Sequence, residues 1–517
     1  MNIPPQLLVS SFLFILPLLF LFVFTKKKNK SSPNSTKQQL PKSYPLVGHY
    51  FSISPNQHRR NQYTTEVLQI SPAATFVFRL LFGARRITTA NPSVVQHILK
   101  TNFSIYQKGD AFRIPLTDFL GDGIFNADGD NWKFQRQVAS HEFNTKSLRK
   151  FIETVVETEL SHRLLPILSE AASDNSVLDF QDILQRFAFD NICKIAFGFD
   201  PAYLSPSLPD AKFALAFDDA VLISSQRSLS FVPWVWKIKK IFGIGSEKQL
   251  AQSISEVRDF ATHIVREKKK ELAKKSSVDS VDLLSRFLSS GHSDEKFVTD
   301  IVISFILAGK DTTSAALTWF FWLVAVNPHV EKQILKEINE QSETSVFSEV
   351  KEMVYTQAAL CESMRLYPPV PADSKEAVVD DVLPDGTVVK KGDKVMYHPY
   401  AMGRMENIWG TDWAEYRPER WLEWNEESKK WSLVMRDSYT YPVFQAGPRI
   451  CLGKEMAFLQ MKRVVAGVLR RFRVVPAMAE GTEPVFISNL SSKMKGGFPV
   501  RFVEQSNAKK SKFVATN

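Results

Sequence analysis

A ten-residue window, residues 444–453, constrains this 517-residue chain more than any other part of its sequence. It reads F-Q-A-G-P-R-I-C-L-G and places Cys451 in a short loop between Gly447 and Gly453. The residues that follow have helical periodicity, so we predict a helix over residues 452–469. Its first backbone N–H groups and the positive end of its dipole would stabilise a thiolate at Cys451. The window therefore predicts a loop that presents a ligating sulfur.

Ligation of haem iron is the chemistry that suits such a sulfur. A thiolate ligand pushes electron density onto the iron and favours cleavage of an O–O bond. Gly447 would let the backbone turn tightly against a porphyrin face, and Gly453 would allow the ring to approach closely. The alternative is that Cys451 is a buried packing residue, which is our expectation for Cys193 and Cys361 in their apolar helical surroundings. Five specified positions within one short window favour the ligand at Cys451.

The window, with Phe444 as its first residue, resembles the haem-binding signature of the cytochrome P450 monooxygenases. The resemblance implies haem b (iron protoporphyrin IX) with Cys451 as axial iron ligand, and Arg449 bonded to a haem propionate. It also implies a mainly α cytochrome P450 fold, with a large helical body and a small β part. No dinucleotide fingerprint or flavin domain follows residue 503, so NADPH would act indirectly, through a separate NADPH–cytochrome P450 reductase.

A second motif, A-G-K-D-T-T over residues 308–313, lies within an apolar stretch from about residue 297 to 326. It fills the family pattern A/G-G-x-D/E-T-T/S, which implies that Thr312 binds oxygen with its water and that Asp311 relays protons to it. A glycine followed by hydroxyls can open the helical hydrogen bonds locally. The alternative is a transmembrane span, but the charges of Lys310 and Asp311 would each cost about 2.5–3.5 kcal/mol there. We therefore predict a buried core helix with one functional kink.

Two further motifs resemble the structural core of the family. Glu362 and Arg365 lie three residues apart, so a helix places them on one face. The later segment Y-R-P-E-R-W contributes Arg420, and the resemblance implies that the three side chains bond together and lock the core behind the haem. E-x-x-R alone is common on helix surfaces, and its weight comes from its order and spacing relative to Cys451.

A fourth motif concerns the haem propionates. Trp132 and Arg136 lie one helical turn apart, and both side chains donate hydrogen bonds that suit an anion. The resemblance implies that they bind a propionate, together with Lys375, which follows the P-P-V-P segment. Lys133 and its basic neighbours are candidates for docking the acidic surface of the reductase.

The N-terminus is directed to a membrane. Residues 7–24 carry no charge, which approaches the length of a bilayer span, and four lysines follow within residues 26–30. By the positive-inside rule this end stays cytosolic. We therefore predict an uncleaved single-pass anchor in the endoplasmic reticulum membrane, with the catalytic domain in the cytosol. A cleaved signal peptide is the alternative, but the charges follow the apolar run and no small-residue cleavage site is evident.

Four regions are predicted on this basis. They are an anchor with a basic stop-transfer segment at 1–30, a linker with a proline hinge at 31–50, one catalytic domain at 51–504, and a basic tail at 505–517. Nine of the ten excess positive charges lie within residues 1–50 and 505–517, so the basic balance does not indicate a nucleic-acid partner. Three cysteines exclude a disulfide scaffold and suit a reducing compartment.

Periodicity predicts the elements between the motifs. Helices are expected at residues 63–70, 92–100, 145–170, 179–198, 210–229, 247–275 and 329–341. Strands are expected at residues 75–82 and 86–89, and a hairpin with an Asp385-Gly386 turn at residues 378–389.

Longer segments, among them residues 121–129, 317–322, 446–458 and 493–500, resemble plant microsomal members that oxidise chain ends. The resemblance implies insertion of one oxygen atom of O₂ into a C–H bond at or near the terminal carbon of an aliphatic chain, in a fatty acid or a jasmonoyl–amino acid conjugate. Hydroxylation of a sterol side chain, at C-26 in steroid or steroidal alkaloid biosynthesis, is an alternative. A further alternative is an oxygen-independent hydroperoxide isomerase or dehydratase, but such members tend to lose the pair that Asp311 and Thr312 form.

A narrow apolar channel would have to present the chain end to the iron. The candidate wall residues are apolar side chains near the motifs: Phe112, Ile114, Leu116, Phe119, Phe231, Phe305, Ile306, Val370 and Leu490. Arg113 is a candidate for binding a substrate carboxylate, and a solvent-exposed loop arginine is the alternative interpretation.

Overall fold

Helices build most of the body of the protein in the computed structural model, which confirms the mainly α prediction. The structure describes residues 39–209, 212–230, 232–274, 282–290, 294–340, 345–427, 429–479 and 481–505. The α-helices of the described chain are α1 Tyr50–Ile53, α2 Arg60–Ile70, α3 Pro92–Gln96, α4 Gly109–Leu120, α5 Gly129–Ser140, α6 Thr145–Lys150, α7 Glu157–Glu159, α8 Leu165–Ser173, α9 Phe180–Phe197, α10 Lys212–Leu229, α11 Pro233–Phe242, α12 Ser246–Lys274, α13 Leu283–Ser289, α14 Glu295–Val326, α15 Pro328–Glu340, α16 Val346–Glu352, α17 Val354–Leu366, α18 Pro399–Met402, α19 Glu406–Trp409 and α20 Lys454–Arg471.

Short strands form the β part. The described strands are β1 Thr75–Arg79, β2 Arg85–Thr89, β3 Tyr106–Gln107, β4 Leu178–Asp179, β5 Asp373–Ala377, β6 Asp381–Val382, β7 Val388–Val389, β8 Lys394–Tyr397, β9 Leu422–Asn425, β10 Lys430–Leu433, β11 Phe472–Pro476, β12 Phe486–Ser488, β13 Ser492–Met494 and β14 Pro499–Glu504. The largest sheet has the order β1-β2-β8-β5-β3, in which β2 and β8 are parallel and the other pairs antiparallel.

This five-stranded sheet matters for the site because of its register. Asp373 at the start of β5 lies opposite Tyr397 at the end of β8, and Lys375 lies opposite Val395. Alternation along β5 puts Asp373 and Lys375 on the same face of the sheet. The sheet therefore brings an acid and a base from one strand to a common face.

The long helix α14 forms the centre of the body. Its 32 residues are buried around nearly the whole circumference, as expected for a helix that is apolar on all sides. The helix is long and apolar enough to cross a membrane, but 83% of its apolar 18-residue stretch is buried within the fold. Gly309 permits a close helix contact, since a Cβ there would lie 2.5 Å from Ile192 on α9. The prediction of a buried core helix is confirmed.

Most predicted elements are present with shifted ends. The strands expected at residues 75–82 and 86–89 are β1 and β2, and the hairpin at residues 378–389 is the antiparallel pair β6–β7. The helix expected at residues 145–170 is interrupted by two π-helical segments, Phe151–Val156 and Leu160–Leu164. The predicted helix at residues 92–100 likewise ends as α3 and continues as a π-helical segment, His97–Thr101.

The predicted linker differs from the structure in its second half. One unit of the chain begins at Pro41. Tyr44 forms an isolated antiparallel bridge with Gly48, and the backbone N–H of His49 donates to the carbonyl of Arg79 at 2.8 Å. Residues 41–50 therefore belong to the body that we predicted to start at residue 51. The predicted anchor at 1–30 and all but the first residue of the predicted tail at 505–517 lie outside the described residues.

Candidate functional site

The cysteine loop is held by its own backbone. The N–H of Cys451 donates to the carbonyl of Phe444 at 2.8 Å, and that of Ile450 donates to Gly447 at 3.1 Å. Gly447 has a φ of +63°, and a Cβ there would lie 2.0 Å from the carbonyl oxygen of Leu99. The requirement for glycine thus has a cause within the protein, namely a left-handed turn packed against the backbone of Leu99. The turn against the porphyrin stays a prediction.

The helix after the loop begins later than predicted. Helix α20 starts at Lys454 with Gly453 as its N-cap residue, and Cys451 lies ahead of the cap. A Cβ at Gly453 would make only ordinary contacts, with Phe143 at 3.7 Å and the Cys451 sulfur at 4.0 Å. Close approach of a ring to Gly453 stays a prediction.

Cys451 differs from the other cysteines in its surroundings. It is accessible to solvent, whereas Cys193 and Cys361 are buried. Protein atoms nevertheless surround the sulfur densely, and burial raises the pKa of Cys451 against the lowering effect of the Gly453 N–H and the positive charge of Arg136. The helix terminus alone therefore does not favour the thiolate, and a bound metal cation would supply the missing stabilisation.

Arg449 and Trp132 lie together beside this loop. The guanidinium of Arg449 is 4.4 Å from the centre of the Trp132 ring, and Arg136 stands 6.0 Å from the same ring. Arg449 donates to the carboxylate of Asp128 at 2.7 Å, while its Nε is buried and has no hydrogen-bond partner among the described residues. The structure thus brings three of the four predicted propionate ligands together, and Asp128 is a partner that the sequence analysis missed.

Lys375 lies on β5, an interior strand of the five-stranded sheet, and is held by an acid that we did not predict. Its ammonium donates to Asp373 at 2.9 Å, and Lys108 donates to the other oxygen of Asp373 at 3.1 Å. Burial alone would raise the pKa of Asp373, but the two lysines and Gln445 hold it well below its usual range. The Gln445 amide, in the loop just after Phe444, donates to Asp373 at 2.6 Å. Asp373 therefore ties the sheet to the cysteine loop.

Positive charge exceeds negative charge in this cluster. Among the described residues that these contacts join, the cations are Lys108, Lys375, Arg136 and Arg449, and the acids are Asp128 and Asp373. Burial and the nearby positive charges of Lys108 and Arg449 lower the pKa of Lys375 to about 7, although Asp373 opposes the shift.

Buried charge without a counter-charge is unfavourable. When Lys375 is protonated, the surplus of two positive charges matches the two propionates of a haem, and the Nε of Arg449 offers a further donor. The residues present therefore fit haem, with Cys451 as the iron ligand and this cluster around its propionates.

The A-G-K-D-T-T motif lies at the middle of α14. Ala308 and Thr312 are partly accessible there, whereas their neighbours Leu307 and Asp311 are buried. The hydroxyl of Thr312 donates to the carbonyl of Ala308 at 2.7 Å. The helix is assigned without interruption, so the local opening that we predicted is absent from this conformation. The Thr312 hydroxyl bonds to the carbonyl of the preceding turn, while the backbone hydrogen bonds of the helix stay intact.

Both oxygens of Asp311 are occupied by donors. Lys310 donates to Oδ1 at 3.0 Å, and the hydroxyl of Ser491 donates to Oδ2 at 3.1 Å. Lys310 also donates to Asp218 at 2.8 Å. Burial would lower the pKa of Lys310, but Asp311 and Asp218 raise it above its ordinary value. Lys310, Asp218 and Ser491 were not among the predicted site residues, and the buried charge at Lys310 was the signal that could have identified a partner.

The predicted structural core forms around one carboxylate. Glu362 accepts from Arg365 at 2.8 Å through both oxygens, and Arg420 donates to Glu362 at 3.1 Å. The indole N–H of Trp421 also donates to Glu362, at 2.9 Å. Arg365 reaches the carbonyls of Gly403, Trp413 and Glu415 with its remaining donors. The bonds among Glu362, Arg365 and Arg420 therefore join α17 to the segment that precedes the cysteine loop.

The predicted channel walls divide into two groups. Leu116, Phe119, Phe305 and Ile306 share one buried apolar cluster of α4 and α14, with Phe112 and Leu490 packed against it. Ile114 is 45% exposed and is not part of that buried wall. Phe231 lies outside the described residues.

The two predicted cationic contact residues lie at the surface. Arg113 is half-exposed, and its Nη2 is 3.9 Å from the carboxylate of Asp122. Lys133 is exposed and forms an ion pair with Asp130.

Comparison with known proteins agrees with this geometry. The family model described as Cytochrome P450 matches residues 39–499. The chain is 62% identical over 508 residues to Cytochrome P450 94A2 of Vicia sativa, covering 97% of this chain and 99% of the relative. It is 66% identical over 461 residues to Cytochrome P450 94A1 of the same plant, covering 89% and 90%. Cytochrome P450 94B1 of Arabidopsis thaliana is 47% identical over 501 residues, covering 96% and 98%.

Proposed function

Because the chain belongs to the cytochrome P450 family, we propose that it hydroxylates an aliphatic chain at or near its terminal carbon, with a fatty acid as substrate. Members of this family are haem monooxygenases that receive electrons from NADPH through a redox partner. Haem held by a thiolate activates O₂ for transfer of one oxygen atom into a C–H bond. The overall reaction converts R–H, O₂, NADPH and H⁺ into R–OH, H₂O and NADP⁺.

The single observation that supports the haem site most directly is an accessible Cys451 beside a cluster with two surplus positive charges. In the proposal, Cys451 ligates the iron. The propionates are held by Arg449, Trp132, Arg136 and Lys375, and Lys375 shares a face of the sheet with Asp373. A propionate near Lys375 would raise the pKa of that side chain from its value of about 7 toward the ordinary range.

Thr312 and Asp311 would handle the protons. Thr312 is partly accessible at the middle of α14, and its hydroxyl needs only to leave the carbonyl of Ala308 to donate elsewhere. Asp311 is the neighbouring acid and lies one residue earlier on the same helix. General acid assistance of this kind contributes about 10²–10⁴-fold to a rate.

The buried apolar side chains around α14 favour an aliphatic substrate. Phe305 and Ile306 precede the motif on α14 and pack with Leu116 and Phe119 of α4 in one cluster. A substrate that offers a terminal methyl group gains orientation from such walls, because its chain has no polar group to fix it. Arg113 on α4 stays a candidate for the carboxylate of a fatty acid, since its Nε has no hydrogen-bond partner within the part of the chain that the structure describes.

The cellular setting is part of the proposal. Residues 7–24, followed by four lysines within residues 26–30, would anchor the protein in the endoplasmic reticulum membrane with the described body in the cytosol. NADPH–cytochrome P450 reductase would be the partner. Lys133, whose side chain is 69% exposed, is a candidate contact for its acidic surface.

The test uses microsomes that contain the full chain and the reductase. They receive NADPH and, in separate reactions, a fatty acid, jasmonoyl-isoleucine and a side-chain-hydroxylated sterol, and products are identified by mass spectrometry. The expected result is a hydroxylated fatty acid with oxygen at or next to the terminal carbon. Exclusive turnover of the jasmonoyl conjugate or of the sterol would overturn the fatty-acid assignment. Product formation without consumption of NADPH and O₂ would indicate the isomerase alternative.

A further inference from the structure

A row of four alternating charges leads from the A-G-K-D-T-T motif toward the surface. Lys310 lies 3.0 Å from Asp311 and 2.8 Å from Asp218, and Lys493 lies 2.5 Å from the other oxygen of Asp218. The side chains of Lys310 and Asp311 are 2% and 1% exposed, whereas that of Asp218 is 35% exposed. We name these four side chains the charge row. It joins three separate parts of the chain, namely α14, α10 and β13.

Lys310 divides one positive charge between two carboxylates. Asp311 on its own helix and Asp218 on α10 both accept from its ammonium. Lys310 also stands 5.3 Å from the ring centre of Phe217, the residue next to Asp218. Two acids at hydrogen-bond distance keep Lys310 protonated, so it acts as a fixed cation and not as a proton donor.

The conformation of Asp311 is the second observation. Lys310 and Ser491 each occupy one of its oxygens, and the Thr312 hydroxyl donates to Ala308. No hydrogen bond joins Asp311 to Thr312 among the described contacts. Release of one of these two donors would therefore leave an oxygen of Asp311 free to take up a proton and pass it toward Thr312.

Helix α10 is the element whose position can change that balance. It packs on α4 through the rings of Phe217 and Phe119, whose centres are 5.2 Å apart. Phe119 belongs to the apolar cluster that supports the aliphatic substrate. A substrate lying against α4 would therefore act on α10 as well, and a shift of α10 toward Lys310 would strengthen the Lys310–Asp218 pair at the expense of Lys310–Asp311.

We propose that Asp218 and Lys310 are positioning residues for Asp311, which link the seating of the substrate to proton delivery. The inference rests on the proposed function and adds a control to it. When Asp218 attracts the Lys310 ammonium more strongly, the hydrogen bond from Lys310 to Oδ1 of Asp311 breaks. The freed oxygen of Asp311 then takes up one solvent proton and passes it on toward Thr312, so that Asp311 ends each transfer as the carboxylate it began as.

The experiment compares Asp218→Asn with wild type in the haem-loaded, full-length enzyme supplied with reductase and saturating fatty acid. Asparagine keeps the shape of the side chain but leaves Lys310 to Asp311 alone. We expect product formed per NADPH to fall by about three- to tenfold, the size of a typical coupling between contacting residues. Peroxide release should rise, the solvent deuterium isotope effect on NADPH consumption should grow, and the reduced-CO spectrum should stay unchanged. Asp218→Glu should recover most of the coupling.

A matched control separates this effect from simple loss of stability. Lys268 is also a buried lysine, with a side chain 6% exposed. Its ammonium lies 2.8 Å from the carboxylate of Asp282, and this pair is not part of the motif. Asp282→Asn keeps the helix-capping acceptor of α13 and removes one carboxylate from Lys268. It should lower thermal stability without changing product formed per NADPH.

Two outcomes would overturn the inference. One is an Asp218→Asn enzyme with wild-type coupling and isotope effect. The other is an Asp282→Asn enzyme that loses coupling to the same extent. A wild-type enzyme that forms no product from the fatty acid would overturn the substrate assignment alone. The isotope effect on NADPH consumption is still compared between wild type and Asp218→Asn in that case, and an unchanged effect overturns the inference.

Discussion

Replacement of Gly447 by alanine tests how the cysteine loop is held. Gly447 has a φ of +63°, and an added Cβ would meet the Leu99 carbonyl oxygen at 2.0 Å. The left-handed conformation costs an alanine about 1–2 kcal/mol. Relief of the overlap requires a backbone shift, for which overpacking in a well-packed region costs about 1–3 kcal/mol. Gly447→Ala should therefore lose about 2–5 kcal/mol of unfolding free energy, the sum of these two effects.

Gly386 provides the matched control for this prediction. It has a φ of +83° in the β6–β7 turn, and a Cβ there would meet nothing within 4 Å. Gly386→Ala should lose only the conformational part, about 1–2 kcal/mol. Urea unfolding followed by circular dichroism measures both variants, and the reduced-CO spectrum reports the haem content per protein. The reasoning is refuted if Gly447→Ala is no less stable than Gly386→Ala and holds as much haem.

Three other predictions concern a histidine, the structural core and the central helix. Burial lowers the pKa of His398 to about 3, so the contribution of this histidine to folding stability is fully present above about pH 6.5, where the unfolded histidine is also neutral. That contribution falls by up to about 1.4 kcal/mol per pH unit between about pH 6.5 and about pH 3. In His398→Asn this loss should be absent, and an identical pH dependence of urea unfolding in both proteins would contradict it. Glu362→Gln leaves two arginines without their shared carboxylate and should lower the free energy of unfolding by about 3–5 kcal/mol. As a control, Lys429→Gln in an exposed pair with Glu426 should lower it by at most about 1 kcal/mol. Equal midpoints of the two variants in thermal unfolding would exclude this role for Glu362. Thr312→Ala should keep the reduced-CO spectrum but divert electrons from product to peroxide, and full coupling in that variant would count against the proton relay.

Sequence patterns predicted those helices and strands whose formation depends on residues close together in the chain. The run of apolar residues around Phe305 and Phe320 predicted α14, because a helix buried on all sides needs no polar face. The Asp385-Gly386 turn predicted the β6–β7 hairpin, since its glycine adopts a positive φ. The π-helical segments within residues 151–164 were missed, because their apolar spacing also fits an ordinary helix.

The candidate site shows where sequence reasoning ends. Cys451, Arg449 and Trp132 were found from motifs with fixed spacing. Asp373 was missed, because its function depends on Lys108, which lies 265 residues earlier and meets it only after β3, β5 and β8 assemble. Asp218 was missed for the same reason, since its partner Lys310 is 92 residues away on another helix.

The most direct test of the account is the reduced-CO difference spectrum of Cys451→Ser beside that of Cys193→Ser. Cys451 is the accessible cysteine, and Cys193 is buried in the apolar cluster of α9. We predict that Cys193→Ser keeps the long-wavelength band that is diagnostic of thiolate ligation and that Cys451→Ser loses it. An undiminished long-wavelength band in Cys451→Ser would contradict the claim that this sulfur holds the haem iron.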